Sequence, residues 1–196
     1  VSSLFMGEEN QGWLNVAGYD VDLTYKLPKF SFGQFTLDSK STYYTHNNTE
    51  QYAGAPVSYN NGFSSYWRVR SNFSIDWSWR NYGAQWTLRY YSPLKEACYE
   101  TDSAFPCTLP NYYMPGVGIT PATQIPSVTF NDVQVYWNTP WNGTIALGAN
   151  NIFNRLGPYS YYGWGIGSIV NTDTAYVANP SYDYGRFVYL RYTQKF

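Results

Sequence analysis

Apolar side chains recur along this chain with a period of two, the spacing of a strand with one greasy face and one polar face. Over residues 12–27, Trp13, Ala17, Tyr19, Val21, Leu23, Tyr25 and Leu27 hold odd positions, and Asp20, Asp22, Thr24 and Lys26 lie between them. Residues 33–46 repeat the pattern, with Phe35, Leu37 and Tyr43 against Gln34, Thr36, Asp38 and Lys40. The longest run is 66–80, where Trp67, Val69, Phe73, Ile75, Trp77 and Trp79 alternate with Arg68, Arg70, Asn72, Ser74, Asp76, Ser78 and Arg80. Segments 83–92, 127–138, 142–153 and 185–196 behave alike, the second setting Val133, Val135 and Trp137 against Asp132 and Gln134. Helical spacing is nearly absent. The pattern predicts an all-β, antiparallel protein of about seven strands.

The connections alternate in length. Short turns are expected near 28–32, 81–82 and 139–141, and long loops at roughly 47–64, 93–126 and 154–184. Transmembrane barrels have short periplasmic turns and long external loops, whereas sandwich loops follow no such rule. A ruler agrees. Trp67 and Trp77 stand ten residues apart on the apolar stripe, which at about 3.3 Å per residue and about 40° tilt is roughly 25 Å of membrane depth. Trp13, Tyr25, Trp67, Ile75, Trp77, Trp79, Trp86, Trp137 and Trp141 are therefore expected to face lipid or form its aromatic girdles. Asp20, Asp22, Asp38, Arg68, Arg70, Asp76, Arg89 and Asp132 are expected to face a barrel lumen.

Composition narrows the classes further. Only 13% of residues are charged and 21% are aromatic, with a net charge of −1. Disordered chains lack aromatics, and a nucleic-acid module needs a basic footprint, so neither class fits and no nucleic-acid partner is expected. No stretch of about 18 apolar residues offers a membrane helix. The first ten residues carry neither the basic start nor the apolar stretch of a signal peptide. A removed leader, or a start partway along a longer chain, is expected.

Candidate catalytic chemistry is sparse. His46 is the single histidine, so Ser–His–Asp and Cys–His arrangements would place every role on it. No metal-ligand spacing surrounds it. The expectation is a non-enzyme with no catalytic residue, metal or cofactor. Cys98 and Cys107 suit one disulfide in an oxidising compartment, with two free thiols the alternative. Tyr112, Tyr113, Tyr159, Tyr161, Tyr162, Trp164 and Tyr176 lie among Gly and Pro in the long loops. Such rings stack on sugars, peptides or aromatic chelates, or else pack the loops together.

The final third carries a more specific signal. Asn142-Gly143-Thr144-Ile145-Ala146-Leu147-Gly148-Ala149-Asn150-Asn151-Ile152-Phe153-Asn154, followed by Pro158, resembles the penultimate strand of TonB-dependent outer-membrane receptors. Tyr182-Asp183-Tyr184-Gly185-Arg186, an alternating strand and a terminal Phe196 resemble that family's last strand, whose final Phe is the signal for barrel assembly. Asn154 stands where the family has Asp, Pro158 replaces a proline pair, and Gln194 replaces an aromatic. The resemblance is specific over 127–196 and architectural over 1–126. It implies that residues 1–196 are the C-terminal part of a barrel of about 22 strands, with plug and N-terminal strands absent from this chain.

The implied activity is active uptake of a scarce solute across the bacterial outer membrane: an iron chelate by default, a saccharide or peptide otherwise. The implied partners are the remainder of the barrel and its plug, the TonB system acting through that remainder, outer-membrane lipid and the external solute. The long loops would be extracellular and the C-terminus periplasmic. The rival readings are a small self-contained outer-membrane barrel acting as adhesin or enzyme, and a soluble carbohydrate-binding β-sandwich.

Overall fold

The computed structural model describes residues 12–63, 66–95, 112–114, 118–120, 124–157 and 185–195. In chain order its strands are β1 (Trp13–Lys26), β2 (Gln34–Glu50), β3 (Ser58–Tyr59), β4 (Val69–Trp79), β5 (Tyr82–Tyr91), β6 (Leu94–Lys95), β7 (Tyr112–Met114), β8 (Gly118–Thr120), β9 (Gln124–Ile125), β10 (Val128–Asn138), β11 (Gly143–Asn150) and β12 (Phe187–Gln194). The seven long strands form one sheet in the order β1-β2-β4-β5-β10-β11-β12, every pairing antiparallel. The tiny β3 leans on β2, and β6–β9 and β7–β8 are separate ladders within the long connection after β5. No helix occurs among the described residues. Among the described residues the protein is thus all-β and antiparallel, and no closed sheet forms: there β1 pairs with β2 alone and β12 with β11 alone.

Between neighbours in the sheet, the short connections are 27–33, 80–81 and 139–142, and the long ones are 51–68, 92–127 and 151–186. All short connections lie at one end of the meander. Their chemistry explains their tightness. Arg80 and Asn142 adopt positive φ (54° and 59°), a conformation that two- and four-residue hairpin loops demand. The Arg80 guanidinium lies 4.6 Å from the Trp79 ring centroid. The Thr139 N–H donates to the Gly143 carbonyl at 2.8 Å, and the Thr139 hydroxyl accepts the Gly143 N–H at 2.9 Å.

Register sorts the side chains cleanly. One row crosses all seven strands on the apolar face: Tyr25, Leu37, Ile75, Trp86, Val133, Ala149 and Val188. Nearer the short turns a second row reads Trp79, Tyr82, Trp137, Ile145 and Tyr192. Trp141 joins it, with its Nε1 donating to the Tyr192 hydroxyl at 3.2 Å and its ring 5.7 Å from that of Trp137. This face is uncovered. Leu23 is 63% exposed and Leu190 is 74% exposed, far from the fate of leucines in a soluble core.

Near the long-loop end a β-bulge interrupts β1–β2: Ala17 opposes His46 and Gly18 opposes Tyr44, leaving Thr45 unopposed. Beyond it the apolar face of β2 turns polar, with His46, Asn48 and Glu50 opposite Ala17, Asn15 and Trp13. The Trp13 indole donates to the Glu50 carboxylate. The apolar band of β4 therefore runs from Val69 to Trp79, again ten residues.

Trp67 corrects the ruler drawn from sequence. The chain bends at Arg68 before β4 begins, and alternation does not carry through a bend. Trp67 is 6% exposed, with its ring 5.2 Å from that of Tyr91 at a tilted angle, in a cluster with Leu94, Ile125, Val128 and Phe130. Tyr91, Val128 and Phe130 belong to the polar face by register. This cluster, over the long-loop end of that face, is the buried apolar core of the described residues. Trp67 is thus neither lipid-facing nor part of a girdle.

Two glycines are fitted to tyrosines across the polar face. Tyr136 covers Gly83 and Tyr189 covers Gly148 so closely that an added Cβ would enter each ring. The Tyr189 hydroxyl then donates to Gln134 Oε1 at 3.0 Å on the next strand. Covering glycine with a cross-strand ring restores packing that glycine alone lacks. Gly148→Val is expected to lower unfolding stability by about 1–3 kcal/mol, seen as a reduced urea midpoint. Tyr189→Phe keeps the ring and removes one hydrogen bond, so its cost is about 1 kcal/mol.

Candidate functional site

The polar face gathers the sequence's charged positions into ladders. Asp22, Lys40, Asn72, Arg89 and Phe130 form one cross-strand row, and Asp20, Thr42, Arg70, Tyr91 and Val128 form the next. A third row holds Thr24, Asp38, Ser74, Thr87 and Asp132, and a fourth holds Lys26, Thr36, Asp76, Gln85 and Gln134. Asp20, Asp22, Asp38, Arg70, Asp76, Arg89 and Asp132 therefore share one face.

Most of these groups are satisfied locally. Thr24 donates to Asp38 at 2.6 Å and Thr42 donates to Asp20 at 2.7 Å. Lys40 and Asp22 approach to 3.8 Å with side chains 69% and 66% exposed, a geometry that contributes little in water. The Arg89–Asp132 pair differs. Arg89 donates from Nε to Oδ2 at 2.7 Å and from Nη2 to Oδ1 at 3.0 Å. Only 22% and 19% of these side chains are exposed, and the guanidinium also lies 5.3 Å from the Phe130 ring centroid. Asp132 Oδ1 accepts a third bond, from the Asn151 backbone N–H at 2.7 Å.

That third bond ties a motif to the sheet. Asn151 and Asn154 both take φ of 50°, a region asparagine tolerates better than most residues. The Asn151 side chain brackets the chain: Nδ2 donates to the Arg155 carbonyl at 2.7 Å and Oδ1 accepts the Arg155 N–H at 2.8 Å. Asn154 Oδ1 accepts the Arg186 N–H at 2.9 Å, next to β12. The Asn-rich end of β11 thus fixes where the chain leaves β11 and re-enters at β12.

Asp20, Asp22, Lys40, Thr42, Arg70 and Tyr91 surround a cavity of about 300 Å³ on this face, floored by strand backbone. The arrangement offers hydrogen bonds and charges of both signs to a polar partner. Among the described residues no group of three His, Cys, Asp or Glu can hold a metal ion. Among the described residues the His46 ring bonds only its neighbour Thr45, at 3.0 Å.

Arg68 departs from expectation. Instead of joining Arg70, it lines a second cavity with Val69 and Tyr90, two residues of the apolar face. The bend that turns Trp67 toward the polar face accounts for this exchange. Trp86 lies in the row of Ile75, well inside the apolar band. Its Nε1 donates to Asn131 at 3.0 Å. Trp77 donates to the Phe32 carbonyl at 2.8 Å in the first short connection. Tyr112 and Tyr113 fall in β7. Tyr159, Tyr161, Tyr162, Trp164, Tyr176, Cys98, Cys107 and Phe196 lie outside the described residues.

Sequence alternation missed Val128 and Phe130, whose even positions place them on the charged side. The available signal was an apolar residue recurring at the polar parity of that strand. Searches of family models, curated proteins and solved structures find no match to this chain.

Removing one partner of a shielded pair strands the other. Asp132→Ala is expected to destabilise the sheet by about 3 kcal/mol, whereas Lys40→Ala stays within about 0.5 kcal/mol. Urea unfolding of both variants side by side checks the contrast.

Proposed function

We propose that this chain forms C-terminal strands of a TonB-dependent transporter in the bacterial outer membrane. The observation that carries the reading is a sheet of seven long strands with one exposed apolar face and, among the described residues, two edges without a partner strand. In water such a face and such edges are liabilities. In a barrel wall the face meets hydrocarbon and the edges meet further strands. Strands of 10 and 11 residues in β4, β5 and β10 match the roughly 9–11 residues that cross a bilayer. The aromatic row beside the short turns fits the periplasmic girdle, and the strict alternation of short and long connections fits turns inside and loops outside.

On this reading the charged face lines a lumen and contacts a plug supplied by other polypeptide. Asp76, which has no hydrogen-bond or ion-pair partner among the described residues, is one such contact point. The long loops, with Tyr112, Tyr113, Tyr159, Tyr161, Tyr162, Trp164 and Tyr176, capture the solute outside. The plug then opens when the TonB system delivers energy from the inner membrane. The chain's own residues build wall and loops and perform no covalent chemistry. An iron chelate is the first cargo class to test, with saccharides and peptides next.

Brominated lipid in proteoliposomes is expected to quench the tryptophan fluorescence, and Trp86→Phe is expected to remove part of that quenching. Fluorescence blind to bromination would contradict a lipid-facing sheet. Ile75→Arg places a charge within the band and is expected to cost about 2–4 kcal/mol of stability in membranes. In cells, uptake of a labelled ferric chelate should require both this protein and a working TonB. Uptake unaffected by the loss of either, for chelate, saccharide and peptide alike, would rule out the transport role.

A further inference from the structure

The second cavity lies where the apolar face ends and the long loops begin. Its volume is about 490 Å³, and its wall includes Phe63, Arg68, Val69, Tyr90, Leu94 and Lys95. Three features set it apart from the cavity on the charged face. First, its charged lining among the described residues is of one sign: two cations and no carboxylate. Second, neither Arg68 nor Lys95 makes an ion pair among the described residues. Third, Val69 and Tyr90 carry the apolar face directly into it.

The position is fixed on both sides. Toward the short turns, the band below Val69 continues through Phe73 and Ile75. Toward the long loops, the corresponding face of β2 becomes His46, Asn48 and Glu50. The cavity therefore straddles an apolar-to-polar boundary. Its local backbone is well tethered: Ser92 N–H donates to Val69 O at 3.0 Å, Val69 N–H to the Ser92 hydroxyl at 3.0 Å, and Lys95 N–H to Gly62 O at 2.7 Å. The two cations are thus carried on ordered segments rather than on free loops.

We propose that this cavity holds the phosphate-bearing headgroup of an anionic membrane lipid, with Arg68 and Lys95 on the phosphate and the acyl chains lying down the apolar face past Val69. The proposal rests on the membrane reading above. A small soluble anion would use the cations and leave Phe63 and Val69 without contact. A neutral lipid would leave two cations facing hydrocarbon unpaired, a costly arrangement. An anionic amphiphile satisfies both halves of the lining. Guanidinium and ammonium together suit a phosphate, the first as a fork and the second as a point charge.

The test uses the whole protein, stripped of lipid in a neutral detergent. It is titrated with dihexanoyl phosphatidic acid, dihexanoyl phosphatidylcholine and inorganic phosphate. Phosphatidic acid is expected to bind in preference to the other two. The double change Arg68→Ala with Lys95→Ala is expected to weaken it about 30-fold, taking each basic residue's share near an anionic lipid surface. Lys29→Ala, at the opposite end of the sheet, should leave binding unchanged.

A second measurement needs no variant. Phosphatidic acid should slow acylation of Lys95 in the unaltered protein, read by peptide mass spectrometry, and phosphatidylcholine should not. Inorganic phosphate binding as well as phosphatidic acid would overturn the lipid as the source. Unweakened binding in a folded double variant, or unprotected Lys95, would overturn the site. Bromolipid quenching separates the two levels: tryptophans quenched without phosphatidic acid preference end this proposal alone, and tryptophans unquenched end the membrane reading beneath it.

Discussion

Hydrogen bonding along the backbone of a strand has two sides, and in β1 and β12 one side of each has no partner strand among the described residues. β1 runs for 14 residues, every one of them exposed, and β12 ends the sheet on the other side, exposed except at half-buried Tyr189 and Gln194. Backbone N–H and C=O groups must find partners: water outside a membrane, another strand within it. A long edge flanked by exposed Tyr19, Leu23 and Tyr25 is in water a template for pairing with another strand. The rest of the structure follows from this constraint. On the barrel reading proposed above, an apolar face below the bulge and edges without described partners have a common solution, which is to continue the same sheet around a closed wall.

The two ends of the sheet are built for different tasks. At the short-turn end, connections are pinned by a hydroxyl cap at Thr139, a cation over Trp79 and rings packed about Phe30, Phe32 and Phe35. Little chain is available there to move. At the long-loop end, the buried cluster around Trp67 and Phe130 folds loop segments onto the charged side of the sheet. The bend at Arg68 makes this possible by exchanging the faces of two consecutive residues. One side chain becomes an anchor for the loops, and its neighbour becomes a cation at the edge of the apolar band.

Much of the sheet was legible because period two is a local property. Each of the seven predicted segments contains a strand, and the ends agree within a few residues, β2 excepted. That strand continues through Asn47-Asn48-Thr49-Glu50, where nothing alternates, because it pairs residue for residue with the start of β1. Pairing, not composition, extends it. The bulge at Ala17 and Gly18 and the bend at Arg68 were illegible for the same reason. Alternation from Trp67 onward is unbroken in the sequence, and only the path of the neighbouring loops diverts the chain. The charged face was legible as a face. Its strongest link was not, since Arg89 and Asp132 meet diagonally through a register that no single strand encodes.

On the barrel reading proposed above, strand direction constrains what would complete the wall. In a meander of seven long strands the first and last point the same way, so β1 and β12 of one chain could join only through a parallel seam. Copies of the chain arranged in one membrane orientation would meet with the same parallel mismatch, β12 of one against β1 of the next. Inverting alternate copies would restore antiparallel pairing but would put long loops on both sides of the membrane. Neither arrangement keeps the antiparallel ladder that every described pairing in the sheet uses. What restores it is polypeptide of different sequence that contributes an odd number of strands and begins and ends opposite in direction to β1 and β12. Any even-stranded barrel leaves such an odd remainder once seven strands are assigned.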